Sequence, residues 1–542
     1  MLNRRPYGLR VNRVSSGIRT AASWGLVVTL VLCCGSLVAA QGVDAANAAP
    51  EKDANPSPPP PPEPMREFRG VWVASVANID WPSEPGLTTG EAKRELVAIL
   101  DRAKALNLNA VVLQVRPTGD AMYRSELEPW SEWLTGEIGL APAPMWDPLA
   151  FAIEQAHNRG LELHAWFNPF RALHPSNVTD PAAPALAATQ PELVKRYGSY
   201  LWMDPGEPAV RQHTLEVILD VVERYDLDGV HLDDYFYPYP IPAPNDRVAD
   251  RHGNLPFPDE ASWARYRDAG GELSRPNWRR NNVNTFVENL YQQVKSRKPQ
   301  VKLGISPFGV YRPGRPAYVT GFDQYDQLYA DPLHWLEEGW IDYLSPQLYW
   351  PIARPQQSFT ALLRWWVDHN PLGRHLWPGI AVYRHFSSPD TYPVREFVYQ
   401  VQWTRHLTRV SAGHIMFSMR WLMPGDDRGP LAAGLARGAY ATPALVPESP
   451  WLFEGDPPPA PSVGPVRVSR DAVRVTLAVD DAPTGTHWVV QVRRNAAWHT
   501  AIAPASHTAV TVPTPAGGVI DAVTARRTDR FGRLSPPAHH VP

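Results

Sequence analysis

The sequence predicts a (β/α)8 barrel followed by a small C-terminal β-sandwich, and three observations predict it. Short β-rich apolar runs alternate with longer amphipathic stretches eight times between Arg66 and Tyr440. The connections that leave these runs are long (117–147, 171–208 and 237–281), while those that enter them, such as "LNLN", "NRG" and "DLDG", are short. That asymmetry is the mark of a barrel whose working face lies at the C-terminal ends of its strands. Beyond a proline-rich break at 441–461 the helical period vanishes, and only alternating strands follow over 462–542.

In chain order, the strand candidates are "FRGVWVAS" (68–75), "LNAVVLQVRP" (108–117), "LELHAWFNPF" (161–170) and "DGVHLDDYF" (228–236), then "VKLGISPFGV" (301–310), "IDYLSPQLYW" (341–350), "LWPGIAVYR" (376–384) and "GHIMFSMRW" (413–421). Between them, segments such as "GEAKRELVAILDRAKALN" and "PAVRQHTLEVILDVVERYD" repeat apolar residues at spacings of three and four, as helices packed on a sheet require. A doubly wound open sheet is the alternative, disfavoured because no glycine-rich phosphate turn follows an early strand. The barrel span of 66–440 exceeds the ~250 residues typical of this fold, so the surplus lies in loops able to wall a cleft. The closing "VTARRTDRFGRLSP" looks like the last strands of a fibronectin type III module.

The first 48 residues read as an export signal: Arg4, Arg5, Arg10, Arg13 and Arg19 precede the apolar "WGLVVTLVLCCGSLVAA", and "VAA" and "ANA" both fit the small-residue cleavage pattern. Residues 49–65, rich in proline, form an extended linker. Cys33 and Cys34 are the only cysteines. Lipid attachment there would tie the chain to a membrane, although Leu32 is bulkier than a lipidation signal wants; without cysteine, the mature chain has neither disulfides nor thiolate chemistry. With 52 Lys plus Arg against 55 acids and no basic tract, nucleic acid is excluded as a partner. The 21 Trp and 20 Tyr suit a groove that stacks on sugar rings, with ordinary core burial as the alternative for any one of them.

The chemistry centres on "DGVHLDDYFYP" (228–238), where two carboxylates stand at the end of an apolar strand. Alternation along the strand sends His231, Asp233 and Tyr235 inward and Asp234 outward. The same inward parity recurs at Gln114 and Arg116, at His164, Trp166 and Asn168, and at Ser345, Gln347 and Tyr349. A polar ring at a barrel mouth is costly unless used, so Gln114, Arg116, Trp166, Asn168, Tyr235, Gln347 and Tyr349 are the candidate substrate-binding residues. Glycoside hydrolysis needs one carboxylic acid and a second carboxylate. Asp233 is the best single candidate, with Asp234 orienting its neighbours or capping the next loop. Asp120, Asp204 and Glu126 are candidates for the partner, and Asp204 reads equally as a helix N-cap because Pro205 follows it. No His-x-His, His-Glu-x-x-His or EF-hand spacing occurs, so neither a metal nor any other cofactor is expected.

"FRGVWVASVANIDWPS", "QVRPTGDAMYRSELEPWSEWLTG", "HAWFNPFR", "DPGEPAVR", "DGVHLDDYFYP", "WRRNN", "GISPFGVYR" and "DYLSPQLYWP" together resemble the glycosyl hydrolase-10-like family of exported bacterial barrels. The resemblance runs from Phe68 to Tyr349 in ordered blocks, and more thinly to Arg420. It implies a periplasmic or envelope glycosidase whose partner is a polysaccharide, the peptidoglycan glycan strand, as in the divisome-localised members that cut strands stripped of stem peptides. By position it sets Asn168, Asp204, Asp233, Asp234 and Gln347 in or around the cleft, with Arg116, Trp278 and Arg279 in shared motifs. Some relatives carry acidic residues just after the eighth strand, where this chain has "FSMRWLM". A glycan-binding protein without activity, using the same cleft, is the competing expectation.

Overall fold

The computed structural model describes residues 59–177, 185–245, 247–387, 391–425, 429–453, 455–478 and 484–540. The export signal, Cys33, Cys34 and most of the proline-rich linker lie outside the described residues.

Eight parallel strands form the core: β1 (Phe68–Val73), β2 (Ala110–Arg116), β3 (Glu162–Phe167), β4 (Gly229–Leu232), β5 (Lys302–Ile305), β6 (Tyr343–Leu344), β7 and β8 (Gly413–Met416). β7 comes in two pieces, His375–Leu376 paired with β6 and Gly379–Ile380 paired with β8. Trp377 and Pro378 interrupt it, because proline has no N–H to give to a ladder. The ladder continues around the gap through Trp377 N–H to the Leu344 carbonyl (2.9 Å) and Ile415 N–H to the Pro378 carbonyl (3.1 Å). With β8 also paired to β1, the sheet closes on itself.

A helix follows each strand: α1 (Thr89–Ala105), α2 (Pro148–His157), α3 (Pro208–Arg224), α4 (Arg275–Arg297), α5 (Pro332–Glu338), α6 (Phe359–Asp368), α7 (Val394–Thr408) and α8 (Gly429–Arg437). α1 shows how sequence sets such a helix. Thr88 accepts from Glu91 N–H while the Glu91 carboxylate accepts from Thr88 N–H at 3.0 Å, a capping box. Ala92, Leu96, Ile99, Leu100 and Ala103 then bury one face against the sheet.

The barrel interior holds a polar layer, which only glycine makes room for. A Cβ on Gly304 would sit 1.9 Å from the Tyr343 ring, and one on Gly229 would sit 2.4 Å from His164 Nδ1. The surplus chain lies where the strands exit: a three-stranded antiparallel sheet (Arg171–Leu173, Val194–Tyr197, Tyr200–Met203) after β3, and a long loop with the helix Glu260–Asp268 after β4.

The C-terminal region consists of two antiparallel sheets. β9 (Ser462–Val468), β10 (Ala472–Ala478) and β13 (Ala509–Pro513) form one; β11 (His487–Arg494), β12 (Ala497–Pro504), β14 (Ile520–Arg527) and β15 (Ala538–His540) form the other. Val473, Val475 and Leu477 of β10 meet Trp488, Val490 and Val492 of β11 in a shared core. This sandwich seats on the face where the barrel strands begin. Arg530 pairs with Asp226 at 2.6 Å and Asp228 at 3.0 Å, and His487 Nε2 lies 3.2 Å from the Gly160 carbonyl. Among the described residues no helix is long and apolar enough to cross a membrane.

Candidate active site

At the opposite end, where the strands finish, lies a cleft of about 470 Å³. Trp72, Trp166, Tyr349, Tyr383, Phe417 and Trp421 give it aromatic walls; Gln114, Arg171, Asp233, Asp234, Ser306, Gln347 and Arg420 give it polar groups.

Asp233 and Asp234 both line this cleft, and each is only 3 % exposed. Strict alternation would have turned Asp234 outward. The outcome differs because β4 ends at Leu232, and beyond it the backbone no longer alternates. Asp233 faces the β3 side, where Oδ2 accepts from Trp166 Nε1 (3.1 Å) and Asn168 Nδ2 (3.1 Å), and Oδ1 accepts from Asn168 Nδ2 (3.3 Å) and Tyr235 N–H (3.4 Å). Burial raises its pKa to about 6 against the pull of the Arg171 charge and these donors. Asp234 accepts from the Tyr239 hydroxyl, and Gln347 also favours its ionised form. Burial and the neighbouring Asp233 charge push its pKa higher, to about 7. Between about pH 6 and pH 7 the pair therefore holds a single proton for the most part, the division of labour that acid-base chemistry requires.

The three proposed partner acids do not join them. Glu126 is exposed, away from the cleft. Asp120 is buried, accepts from Thr118 N–H at 3.0 Å and is pushed up to about 6 by burial, but it does not line the cleft. Asp204 is buried beside the long β4 loop, taking hydrogen bonds from Ser262 Oγ (2.6 Å) and Gly206 N–H (2.8 Å), and burial raises it to about 6. It is not a helix cap either, because α3 begins at Pro208 with Glu207 at the N-cap position.

Of the expected binding residues, Gln114, Trp166, Tyr235, Gln347 and Tyr349 line the cleft, and Asn168 stands behind Asp233. Arg116 does not. It is fully buried, paired with Glu128 (Nε to Oε2, 2.7 Å), and donates from Nη1 to the Asn168 carbonyl at 2.6 Å. Trp278 and Arg279 lie on α4; Arg279 pairs with Asp259 at 2.6 Å, away from the cleft. His164 and Ser345 are buried below the mouth. His231 accepts from Trp72 Nε1 (3.2 Å) at Nε2, so its Nδ1 carries the proton and donates to the Tyr343 hydroxyl at 2.9 Å. Burial holds His231 neutral, far below its usual pKa. Tyr343 in turn reaches His164 Nδ1 (2.9 Å), and His164 Nε2 reaches Glu162 (3.0 Å).

Arg171, Tyr383, Arg420 and Trp421 are cleft residues that sequence reasoning did not single out, and so is Tyr239, which does not line the cleft but donates to Asp234. Arg171 ends the "HAWFNPFR" block and stacks over the Tyr235 ring at 4.9 Å, and its guanidinium is fixed by two bonds to the Pro117 carbonyl. Just after β8, in place of an acid on that strand, Asp80 from the β1 loop takes Ser418 Oγ (2.7 Å), Arg420 N–H (2.8 Å) and Ala74 N–H (2.8 Å).

Residues 67–391 match the family described as Glycosyl hydrolase-like 10, over an uninterrupted stretch that includes β1 through β7 and the acid pair. The chain belongs to the glycosyl hydrolase-like 10 family. Among its relatives in this family's company is Glycosyl hydrolase YngK of Bacillus subtilis strain 168, 40% identical over 434 residues, covering 77% of this chain and 80% of that one. Glycosyl hydrolase DigH of Escherichia coli K12 is 35% identical over 350 residues, covering 60% of this chain and 76% of DigH. Among solved structures, the glycoside hydrolase domain of PgaB from Bordetella bronchiseptica is a distant likeness, 14% identical with a TM-score of 0.44, over 69% of this chain and 99% of that one. As a glycosyl hydrolase-like 10 member the chain is an enzyme of glycan hydrolysis, and its substrate is a polysaccharide.

Proposed function

We propose that this enzyme hydrolyses glycosidic bonds within peptidoglycan glycan strands that have been stripped of stem peptides, and that it works in the cell envelope after export. The observation that carries the reading is the buried acid pair, Asp233 and Asp234, opening into a cleft walled by aromatic rings. Rings of that kind stack on sugar faces, and the pair supplies the protonated and ionised carboxyls that glycoside cleavage uses.

Two further features support the stripped strand. The β3 loop, through Arg171 and His174, and the head of the β4 loop, through Tyr235, wall part of the cleft, which disfavours a branch on every second sugar. Removing a stem peptide also uncovers a lactyl carboxylate, and Arg171 and Arg420 bring positive charge to the cleft lining. The family resemblance and the N-terminal sequence support export.

The test is incubation of the purified protein with peptidoglycan before and after amidase treatment, reading the soluble products by mass spectrometry. Release from the treated material and little from the intact is expected. Equal release from both would sink the specificity, and release from neither would sink the assignment.

A further inference from the structure

Among the described residues, Asp233 and Asp234 are the only carboxylates lining the cleft. The next acid along its rim, Asp80, has both oxygens taken by three donors from the β1 and β8 loops. Two-carboxylate glycosidases place their acids on either side of the scissile bond, roughly 5–5.5 Å apart when retaining and 6.5–9.5 Å apart when inverting. Here the two acids are consecutive residues at the end of a single strand, so both enter the cleft from β4. No described carboxylate faces them from across the cleft to attack the sugar or to activate water.

Resting on the peptidoglycan reading above, we infer that the nucleophile is the substrate's own 2-acetamido group, with Asp234 as the general acid and Asp233 holding the acetamido N–H. The hydrogen bonds separate the two roles. Asp233 is an anchored acceptor, gripped by the Trp166 indole and the Asn168 amide, and Asn168 is itself fixed by accepting from Arg171 N–H at 2.9 Å. A group so held suits orienting a substrate amide. Asp234 accepts from the Tyr239 hydroxyl, five residues further along the same β4 exit loop, but its burial and the negative neighbour alongside outweigh that donor and favour keeping its proton until a leaving oxygen takes it. The β1 end contributes Ala74, Val76 and Ile79 to the cleft, an apolar wall suited to an acetyl methyl.

The step balances as follows. The acetamido carbonyl oxygen bonds to C1 as the C1–O bond to the next sugar breaks. The Asp234 proton passes to that leaving oxygen, and the acetamido N–H proton moves onto Asp233, leaving a neutral oxazoline. Water then bonds to C1 as the C1–O bond of the oxazoline breaks and the acetamido carbonyl re-forms, the water giving a proton to Asp234 while Asp233 returns its proton to nitrogen. One water is consumed, and the anomeric configuration is retained.

The experiment uses the full chain and amidase-treated glycan strands, native and chemically de-N-acetylated. Retained configuration in the first product seen by NMR is expected, together with a loss of at least ~10²-fold in kcat on the de-N-acetylated strands. A thiazoline derived from N-acetylglucosamine should bind the wild type by calorimetry and bind Asp233→Asn at least about tenfold more weakly. Inverted product, a covalent glycosyl adduct on any carboxylate after acid quench, or equal kcat on both strands would overturn the inference while leaving the hydrolase assignment intact. No cleavage of the native stripped strands would overturn the functional reading, and the inference with it.

Discussion

Asn168 spans both oxygens of Asp233 with its side-chain amide, at 3.3 and 3.1 Å, while its backbone carbonyl accepts from the buried Arg116 guanidinium at 2.6 Å. The acid is thus tied through one residue to the Arg116 and Glu128 ion pair beneath the β2 loop. Removing one partner of a buried pair strands the other charge and costs about 3–5 kcal/mol. Glu128→Ala should therefore destabilise the enzyme by about that much in chemical denaturation, although Glu128 does not line the cleft. A change below about 1 kcal/mol would show the pair to be dispensable.

Asp234→Asn should lower kcat by ~10²- to 10⁴-fold, the usual range for a lost general acid, with substrate binding nearly unchanged. Asp233→Asn should be comparably damaging. The strand-parity reading predicts a lesser effect at Asp234, so a variant retaining more than about a tenth of wild-type activity would favour parity over the observed orientation.

The pH-rate profile should be a narrow bell. Asp233 and Asp234 are raised to about 6 and about 7, so activity climbs as the pair loses its first proton and falls as it loses the second. A plateau extending past pH 9 on stripped glycan would be incompatible with a protonated carboxyl as the acid.

The same shifts make the pair a liability to the fold. Both pKa values lie above the ordinary 3.8, so the native state binds protons more tightly than the unfolded chain does. That contribution is complete below about pH 4 and is lost as pH rises through 6 to 7. Asp234→Asn, neutral throughout, should melt a few degrees above wild type at pH 8, with a smaller advantage or none at pH 4. Parallel melting curves at the two values would refute this.

Arg420→Gln should raise KM for stripped strands several-fold and leave kcat nearly unchanged if its guanidinium, over the Trp421 ring in the cleft lining, meets the lactyl carboxylate of the proposed substrate, which takes no part in bond breaking. High salt should shrink the difference. An unchanged KM would remove Arg420 from substrate recognition.

All eight barrel strands were legible because each is a short apolar run between turn signals, and burial on both faces demands that. The outward placement of Asp234 was misread because period-two reasoning holds only inside a strand, and β4 stops at Leu232. Asp120, Asp204 and Glu126 were placed correctly in loops, but loops have no period from which a side chain's direction can be read. Glu128 lies two residues past Glu126, and only the fold shows which of them turns inward. Arg420 reaches the cleft, and Tyr239 reaches Asp234, from chain beyond a strand end, and no local pattern announces either.

Asp228, at the foot of β4, receives Leu163 N–H, His157 Nε2 and Arg530 of the C-terminal sandwich, and the acid pair stands at the head of that same strand. Burial alone would raise the Asp228 pKa, and the His157 and Arg530 charges overcome it and hold the carboxylate ionised. β4 is thus moored at both ends, to the sandwich below and to the sugar cleft above. The C-terminal sheets are a keel rather than a passenger: seated at the end of the barrel opposite the cleft, they brace the one strand from which both acids spring, and a shortened chain ending before β9 would set that strand adrift at its foot.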